Sequence, residues 1–303
     1  MKTSIRKLKI TGLILFLLLI CIPGKTFSQN YADTVEVYHI TTTDKNEYSG
    51  NILMRDSSFI ILKTVQFDSL IIKTEFIKSI EKIKSQQVKE DGIWLENPQA
   101  ARYFWAPNGY GLKKGEAYYQ NVWVLFNQIS VGLTDYFSIG AGVMPTFLFG
   151  SDVVPMWLTP KFSIPIVKDK FNASAGIMYI TVAGAGSSAG LVYGLTTFGS
   201  KDKNLSIGLG YGFSENGWAK LPSINISGLV RTGPRGYLVT ENYIIGESDG
   251  YVGLIMVGGR TLSKRIALDY GLALPFDSSI DRFIAIPWLG LTVPFGKIKK
   301  NQL

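Results

Sequence analysis

The sequence predicts an all-β protein, in which a closed antiparallel up-and-down barrel of about twelve strands follows a small five-stranded β module. The first observation is a repeated strand pattern. Similar segments begin at Phe137, Phe171, Leu205, Tyr237 and Ile266, so their starts lie 34, 34, 32 and 29 residues apart. This spacing fits one strand, a loop, a returning strand and a short turn. The pattern therefore predicts a succession of β-hairpins.

The second observation is the alternation of side chains along each strand. In LSIGLGYGF, residues 205–213, large apolar side chains occupy the odd positions, and Ser or Gly occupies the even positions. A water-soluble barrel or sandwich puts large apolar side chains inside and polar ones outside. Because the second face here carries Gly and Ser rather than Lys, Glu or Thr, we expect the large side chains to face lipid. The strands therefore predict a transmembrane barrel.

Residues 1–28 have the three parts of a secretory signal peptide, and we expect cleavage after Ser28. A retained membrane anchor is the alternative interpretation. The apolar stretch from Ile10 to Ile22 is shorter than the ~20 residues that a spanning helix needs, which disfavours an anchor. Cys21 is the only cysteine of the chain, so the mature protein would have no disulfide.

Residues 32–90 contain five short alternating runs joined by polar turns, which predict a small soluble β module in the periplasm. Gly50, the turn at Asp56 and the apolar run FIIL that follows it resemble the strand pattern of Sm-like or SH3-like domains. The resemblance implies a small barrel shape. Sm-like relatives often bind RNA, but an exported domain meets none, so only the shape is carried over.

Residues 91–116 form an aromatic-rich linker without any period. A simple connection is one interpretation. Its aromatic residues Trp94, Tyr103, Phe104 and Trp105 instead predict that it packs against the periplasmic rim of the barrel.

Residues 117–297 form the predicted barrel, and residues 298–303 form a C-terminal tail. The expected strands are 117–125, 128–133, 137–146, 156–166, 171–182, 188–199, 204–214, 221–231, 236–245, 251–260, 264–274 and 283–295. An even strand number returns the chain to its starting side. Short turns are typical of the periplasmic end of such barrels and longer loops of the outer end, so both termini should lie in the periplasm.

The barrel region resembles outer-membrane β-barrel proteins of Gram-negative bacteria, and GLTDYFSIGAGV is the phrase most typical of them. The resemblance implies an outer-membrane location, with membrane lipid and the barrel-insertion machinery as partners. One departure is that GKIKKNQL follows Phe295, whereas such barrels commonly end at an aromatic residue.

Composition and motifs disfavour enzymatic chemistry. The single histidine, His39, lies in the small module, so the barrel contains no Ser-His-Asp base and no zinc site of the His or Cys kind. Outside residues 1–28, 26 basic residues face 23 acidic ones, a net charge of +3, which does not indicate nucleic-acid binding. We therefore expect a non-enzymatic protein without cofactor or metal.

Four charged residues of the barrel are predicted to face the lumen by the same alternation: Lys161, Arg231, Glu241 and Asp269. Charged groups inside a barrel most often form structural ion pairs or line a water path. A ligand or ion site, or carboxylate chemistry at Glu241 and Asp269, are the alternatives.

Aromatic residues gather near the predicted strand ends, where we expect them to form interface girdles. They are Tyr118, Tyr119, Tyr136, Phe137, Phe171, Phe213, Tyr237, Tyr251, Phe283 and Phe295. Scattered core positions are the alternative.

These observations together predict an integral outer-membrane barrel that acts as a narrow pore or ligand-binding channel. Residues 32–90 would contact a periplasmic protein. A surface recognition or adhesion protein is the main alternative, although the loops are short. A secreted soluble all-β protein is the third.

Overall fold

The computed structural model describes residues 36–83, 88–89, 92–94, 97–148, 152–247, 250–263, 266–277 and 283–296. The predicted signal peptide, residues 1–28, and the predicted tail, residues 298–303, lie outside the described residues. Within the described ranges, no helix has both the length and the apolar character needed to cross a bilayer.

The small N-terminal module is a five-stranded antiparallel sheet. Its strands are β1 (Val37–Thr42), β2 (Glu47–Arg55), β3 (Phe59–Thr64), β4 (Leu70–Lys73) and β5 (Ile77–Ile83), in the order β4-β3-β2-β1-β5. A 3-10 helix, Thr74–Phe76, joins β4 to β5. Ile40, Ile60, Leu62 and Ile72 form its core. The five predicted strands are confirmed, and the Sm-like or SH3-like resemblance stays a prediction.

The turn between β1 and β2 is stabilised by its own side chains. The Thr42 hydroxyl donates a hydrogen bond to the Asp44 carboxylate, and the Asn46 amide donates a second one at 2.6 Å. The hydrogen bond from Thr42 is the main reason that the pKa of Asp44 lies below its ordinary value.

A short two-stranded sheet follows, formed by β6 (Val88–Lys89) and β7 (Gly92–Ile93). The barrel strands are β8 (Glu116–Val122), β9 (Phe126–Gly132), β10 (Phe137–Val143), β11 (Val154–Leu158), β12 (Lys161–Val167), β13 (Phe171–Ala183), β14 (Ser187–Gly199), β15 (Lys203–Ser214), β16 (Gly217–Trp218), β17 (Ser223–Arg231), β18 (Gly236–Glu247), β19 (Gly250–Leu262), β20 (Ala267–Phe276) and β21 (Ile286–Gly296).

The barrel wall has twelve strand positions. Strands β11 and β12 share one position, because each pairs with β10 on one side and β13 on the other, and β16 pairs only with the end of β15. Strand β21 pairs with β8, with Phe295 opposite Ala117, so the sheet closes. The predicted closed antiparallel barrel of twelve strands is confirmed.

The two ends of the barrel differ in their connections. We call the end with the connections 133–136, 168–170, 200–202, 232–235 and 263–266 the turn end, and the opposite end the loop end. Strand β8 starts at the turn end.

The wall has its large apolar side chains on the outside. Ile207 and Leu209 on β15 are 45% and 56% exposed, whereas Ser206, which precedes Ile207 on the same strand, is 0% exposed. The same exposure of large apolar side chains occurs around the wall, at Ile129, Leu158, Phe162, Ile164, Ile177, Val192, Leu238, Tyr270, Leu272 and Leu289. This confirms the predicted orientation of the two faces.

Candidate functional site

The barrel interior is occupied by the chain itself. Residues 97–112, which we call the plug segment, lie among the inward side chains of the wall. Tyr103 and Phe104 are fully buried, and the Tyr103 hydroxyl lies 2.6 Å from Asn204 Oδ1 and 2.6 Å from Ser206 Oγ. The sequence prediction that this segment packs on the rim is therefore wrong for these two residues. Inward Gly and Ser leave a twelve-stranded barrel too wide to be filled by its wall alone, and the aromatic rings fill it.

One side of the interior is apolar and centres on Phe104. Its ring packs at 5.9 Å from the Trp288 ring, and Trp288 packs at 4.9 Å from Trp123. The buried members of this cluster are Tyr103, Phe104, Ala106, Val122, Leu229, Tyr237, Val239, Met256, Leu262, Ala267, Ala273 and Trp288. Burial of this surface anchors the plug segment to strands β17–β21.

Asp269 joins the wall to the plug segment by two guanidinium groups. Arg260, opposite Asp269 in the β19–β20 register, places Nη2 at 3.2 Å from Asp269 Oδ2. Arg102 of the plug segment places Nη1 at 3.4 Å from the same oxygen. Arg102 also donates to Gln99 Oε1 at 2.9 Å, and Arg260 donates to the Tyr103 carbonyl. All three charged side chains are buried, so each needs these partners.

Lys161 holds the plug segment from the opposite wall. Its Nζ donates to the carbonyl oxygens of Ala101 at 3.1 Å, Asn108 at 3.1 Å and Tyr110 at 2.7 Å. An ammonium group has three protons to donate, and here all three are used. Lys161 is 7% exposed.

Glu241 also binds the backbone of the plug segment. Its carboxylate accepts a hydrogen bond from the Trp105 backbone N–H at 2.8 Å and from the Tyr243 hydroxyl at 2.6 Å. Three charged wall residues, Lys161, Glu241 and Arg260, therefore bind backbone groups of the plug segment.

The backbone at Gly109 lies directly on the wall. Its N–H donates to the Thr197 hydroxyl at 2.7 Å, and a Cβ at this position would stand 2.8 Å from the carbonyl oxygen of Asn172. The Tyr110 hydroxyl donates to the Gly199 carbonyl at 2.6 Å. Only glycine permits this close approach.

Arg231 lies at the turn end rather than beside Asp269. Its Nη1 is 3.3 Å from both carboxylate oxygens of Asp202, which also accepts from the Tyr237 hydroxyl. The guanidinium carbon stands 4.5 Å from the centre of the Trp94 ring. Trp94 therefore does lie at the rim, unlike Tyr103 and Phe104.

The predicted interface position is wrong for two of the girdle aromatics, Tyr118 and Tyr237. Tyr118 is 7% exposed and packs inside with Ala101 and Leu112, and Tyr237 is 3% exposed. Both lie on the inward face of their strands. The prediction placed them at the interface because it used closeness to a turn and ignored the alternation. Tyr136, Tyr251, Phe283 and Phe295 are exposed, and Tyr119, Phe137, Phe171 and Phe213 are partly exposed.

A cavity of about 160 Å³ lies on the loop-end side of the plug segment. Arg102, Trp105, Ala106 and Pro107 of the plug segment form one boundary. Wall residues that line it include Gln120, Gln128, Ser130, Ser138, Thr159, Lys161, Met178, Leu191, Tyr193, Leu195, Gly208, Gly210, Asn225 and Tyr243. The lining is mostly apolar, so the cavity suits a small molecule rather than an ion.

Sequence reasoning missed Arg102, Arg260 and the interior position of their segment. Arg260 could have been found, because it has the inward parity of Met256 and lies across the short turn from Asp269. The concentration of aromatic residues in the predicted linker is the one sequence signal of the plug segment, and it was interpreted as packing on the periplasmic rim.

The fold and the site define a closed β-barrel whose lumen holds a segment of its own chain. No protein-family model and no curated protein matches the sequence. Among solved structures, the chain is similar to a loop L8 deletion mutant of OmpT, an outer membrane protein of Vibrio cholerae. That match has 10% identity and a TM-score of 0.34, and covers 86% of this chain and 97% of that one. The outer membrane channel DcaP of Acinetobacter baumannii is similar at 10% identity and a TM-score of 0.31, covering 86% and 94%.

Proposed function

We propose that this protein is an integral outer-membrane barrel that binds a small molecule in the cavity at the loop end and is closed toward the turn end by the plug segment. It is not an enzyme, and it needs no cofactor or metal. The observation that carries the proposal is the plug segment itself, whose backbone is bound by Lys161, Glu241 and Arg260 inside the wall.

The exterior supports the membrane location. Soluble monomers rarely expose contiguous apolar patches larger than a few hundred Å². Here nearly half-exposed Ile, Leu, Phe and Val side chains occur on β9, β12, β14, β15 and β20 alike. Closure of the sheet pairs its backbone groups without water, which a lipid environment requires.

The plug segment favours a binding site over a permanently open narrow pore. Its contacts reach the wall from β8 to β21, including the Gln120 amide, which donates to the Phe104 carbonyl at 3.1 Å, and the Thr292 hydroxyl, which accepts from Arg102. Solute passage would require these contacts to break. The cavity above them can be filled without any such movement.

The small N-terminal module and the barrel exterior suggest the partners. Lipid would surround the wall, and the barrel-insertion machinery would place it in the outer membrane. A periplasmic protein would contact residues 32–90, where Leu53, Phe67 and Ile71 are 57%, 53% and 65% exposed.

Gel mobility and bilayer recordings test the proposal. The refolded protein should run faster unboiled than boiled and should give no steady conductance in planar bilayers. A variant with residues 99–111 replaced by a Gly–Ser sequence of equal length should keep the fast mobility and show discrete conductance steps. Steady conductance of the wild-type protein would contradict the closed lumen. A silent, correctly folded variant would show that the plug segment is not the closure.

A further inference from the structure

The cavity has a size, a lining and a charge balance that together select a class of ligand. We propose that it binds an uncharged molecule with one aromatic ring and one hydroxyl group, the chemical class of phenol. This inference rests on the proposed function and names the ligand of the same site.

Size limits the ligand to a single ring. The cavity measures about 160 Å³. A dry protein cavity of about 150 Å³ is known to hold benzene. A sugar chain, a peptide or a lipid tail would exceed this volume.

The lining favours an aromatic ring over an aliphatic one. Trp105 of the plug segment and Tyr243 and Tyr193 of the wall contribute aromatic rings, and Met178 contributes a thioether. Aromatic pairs and sulfur–aromatic contacts each contribute beyond the area that they bury. Leu191 and Leu195 complete the apolar wall.

The charge balance excludes ionised ligands. Among the described residues that line the cavity, Arg102 and Lys161 are the charged ones. Lys161 uses its three protons on plug carbonyls, and Arg102 is paired with Asp269. A carboxylate or phosphate would lose its hydration without gaining an unpaired ammonium group, which is costly.

The lining offers a polar group for one hydroxyl. The Tyr193 hydroxyl has no hydrogen-bond partner within the described part of the chain, although its surroundings are largely buried. Gln128 is already engaged, since it accepts from Trp157 Nε1 at 2.7 Å and donates to Ser130 Oγ at 2.9 Å. A phenolic hydroxyl would supply the missing partner of Tyr193, which benzene or toluene cannot.

A matched pair of glycine variants tests the location. Gly208 points inward, and Leu195 lies opposite it on β14. Gly233, in the connection 232–235 at the turn end, does not line the cavity and has no atom within 4 Å of an added Cβ. Equilibrium dialysis of radiolabelled phenol against the full-length protein in lipid nanodiscs is the assay. Gly208→Leu should weaken binding by about tenfold or more, since it fills the cavity. Gly233→Leu should bind as the wild type does.

Ligand chemistry is tested with Tyr193→Phe. This variant should bind phenol about fivefold more weakly, the value of one hydrogen bond, and toluene as well as the wild type does. The wild-type protein should bind benzoate at least about tenfold more weakly than phenol. Equal affinity for benzoate, or an unchanged phenol affinity in both Gly208→Leu and Tyr193→Phe, would overturn the assignment.

The two proposals fail separately. Absence of saturable phenol binding by wild-type protein that keeps its fast gel mobility and stays silent in bilayers would overturn the ligand class alone. Steady wild-type conductance would overturn the closed lumen, whatever the phenol result.

Discussion

Replacement of Lys161 by Met should release the plug segment from one wall. Methionine keeps most of the length of the side chain but removes the three hydrogen bonds to Ala101, Asn108 and Tyr110. Hydrogen bonds from a charged group are worth about 1.5–3 kcal/mol each, but part of this is offset because the buried ammonium group no longer has to be desolvated. We therefore expect plug docking to weaken by about 3–4 kcal/mol, which is a factor of several hundred in the opening equilibrium.

Hydrogen exchange followed by mass spectrometry measures this opening directly. Amide protection within residues 99–112 should fall by about 100-fold or more in Lys161→Met, while protection in β13–β15 stays unchanged. Lys203→Met is the matched control, because Lys203 is exposed at the turn end and its side chain makes no hydrogen bond or ion pair within the described residues. Unchanged protection of residues 99–112 in Lys161→Met would refute the reasoning that this lysine holds the segment.

Three further predictions concern the wall, the buried ion pairs of Asp269 and the small N-terminal module. Leu209→Lys should cost about 2–4 kcal/mol of unfolding free energy in lipid vesicles and Leu209→Ala clearly less, and equal effects would mean that this side chain does not face hydrocarbon. Asp269→Asn should cost about 3–5 kcal/mol of unfolding free energy, measured by urea titration in lipid vesicles, because Arg102 and Arg260 lose their carboxylate; a wild-type midpoint would count against the cluster. Ile60→Ala should lower the unfolding free energy of the small N-terminal module by about 2–5 kcal/mol. Proteolysis within residues 36–83 should then be faster, while the gel mobility of the barrel is retained.

The wall of the barrel was predictable because its signal is local. Alternation along a strand depends only on neighbouring residues, so the bounds of β13, β14 and β15 agree with the expected strands to within one residue. The strand expected at 156–166 is instead interrupted between β11 and β12 around Pro160. Proline removes a donor from the sheet and explains the break.

The contacts that inward side chains make in the lumen were less predictable from the sequence. From the alternation alone, we expect a lysine at the inward Ser206 to cost much less than one at the outward Ile207 or Leu209. The structure makes it costly, because Ser206 is fully buried and hydrogen-bonded to Tyr103 and Thr197. The alternation identifies which side chains point inward, but it does not say what they meet there.

The sequence by itself predicted a closed barrel of about twelve strands and the outward orientation of the large apolar side chains, since these follow from a period of two and from turn spacing. The tertiary structure alone decided that the lumen is occupied. Arg102 and Asp269 are separated by 167 positions in the chain, and no local pattern relates residues so far apart. Their contact exists because a wide ring of small inward side chains leaves space, and a buried carboxylate there needs a positive partner.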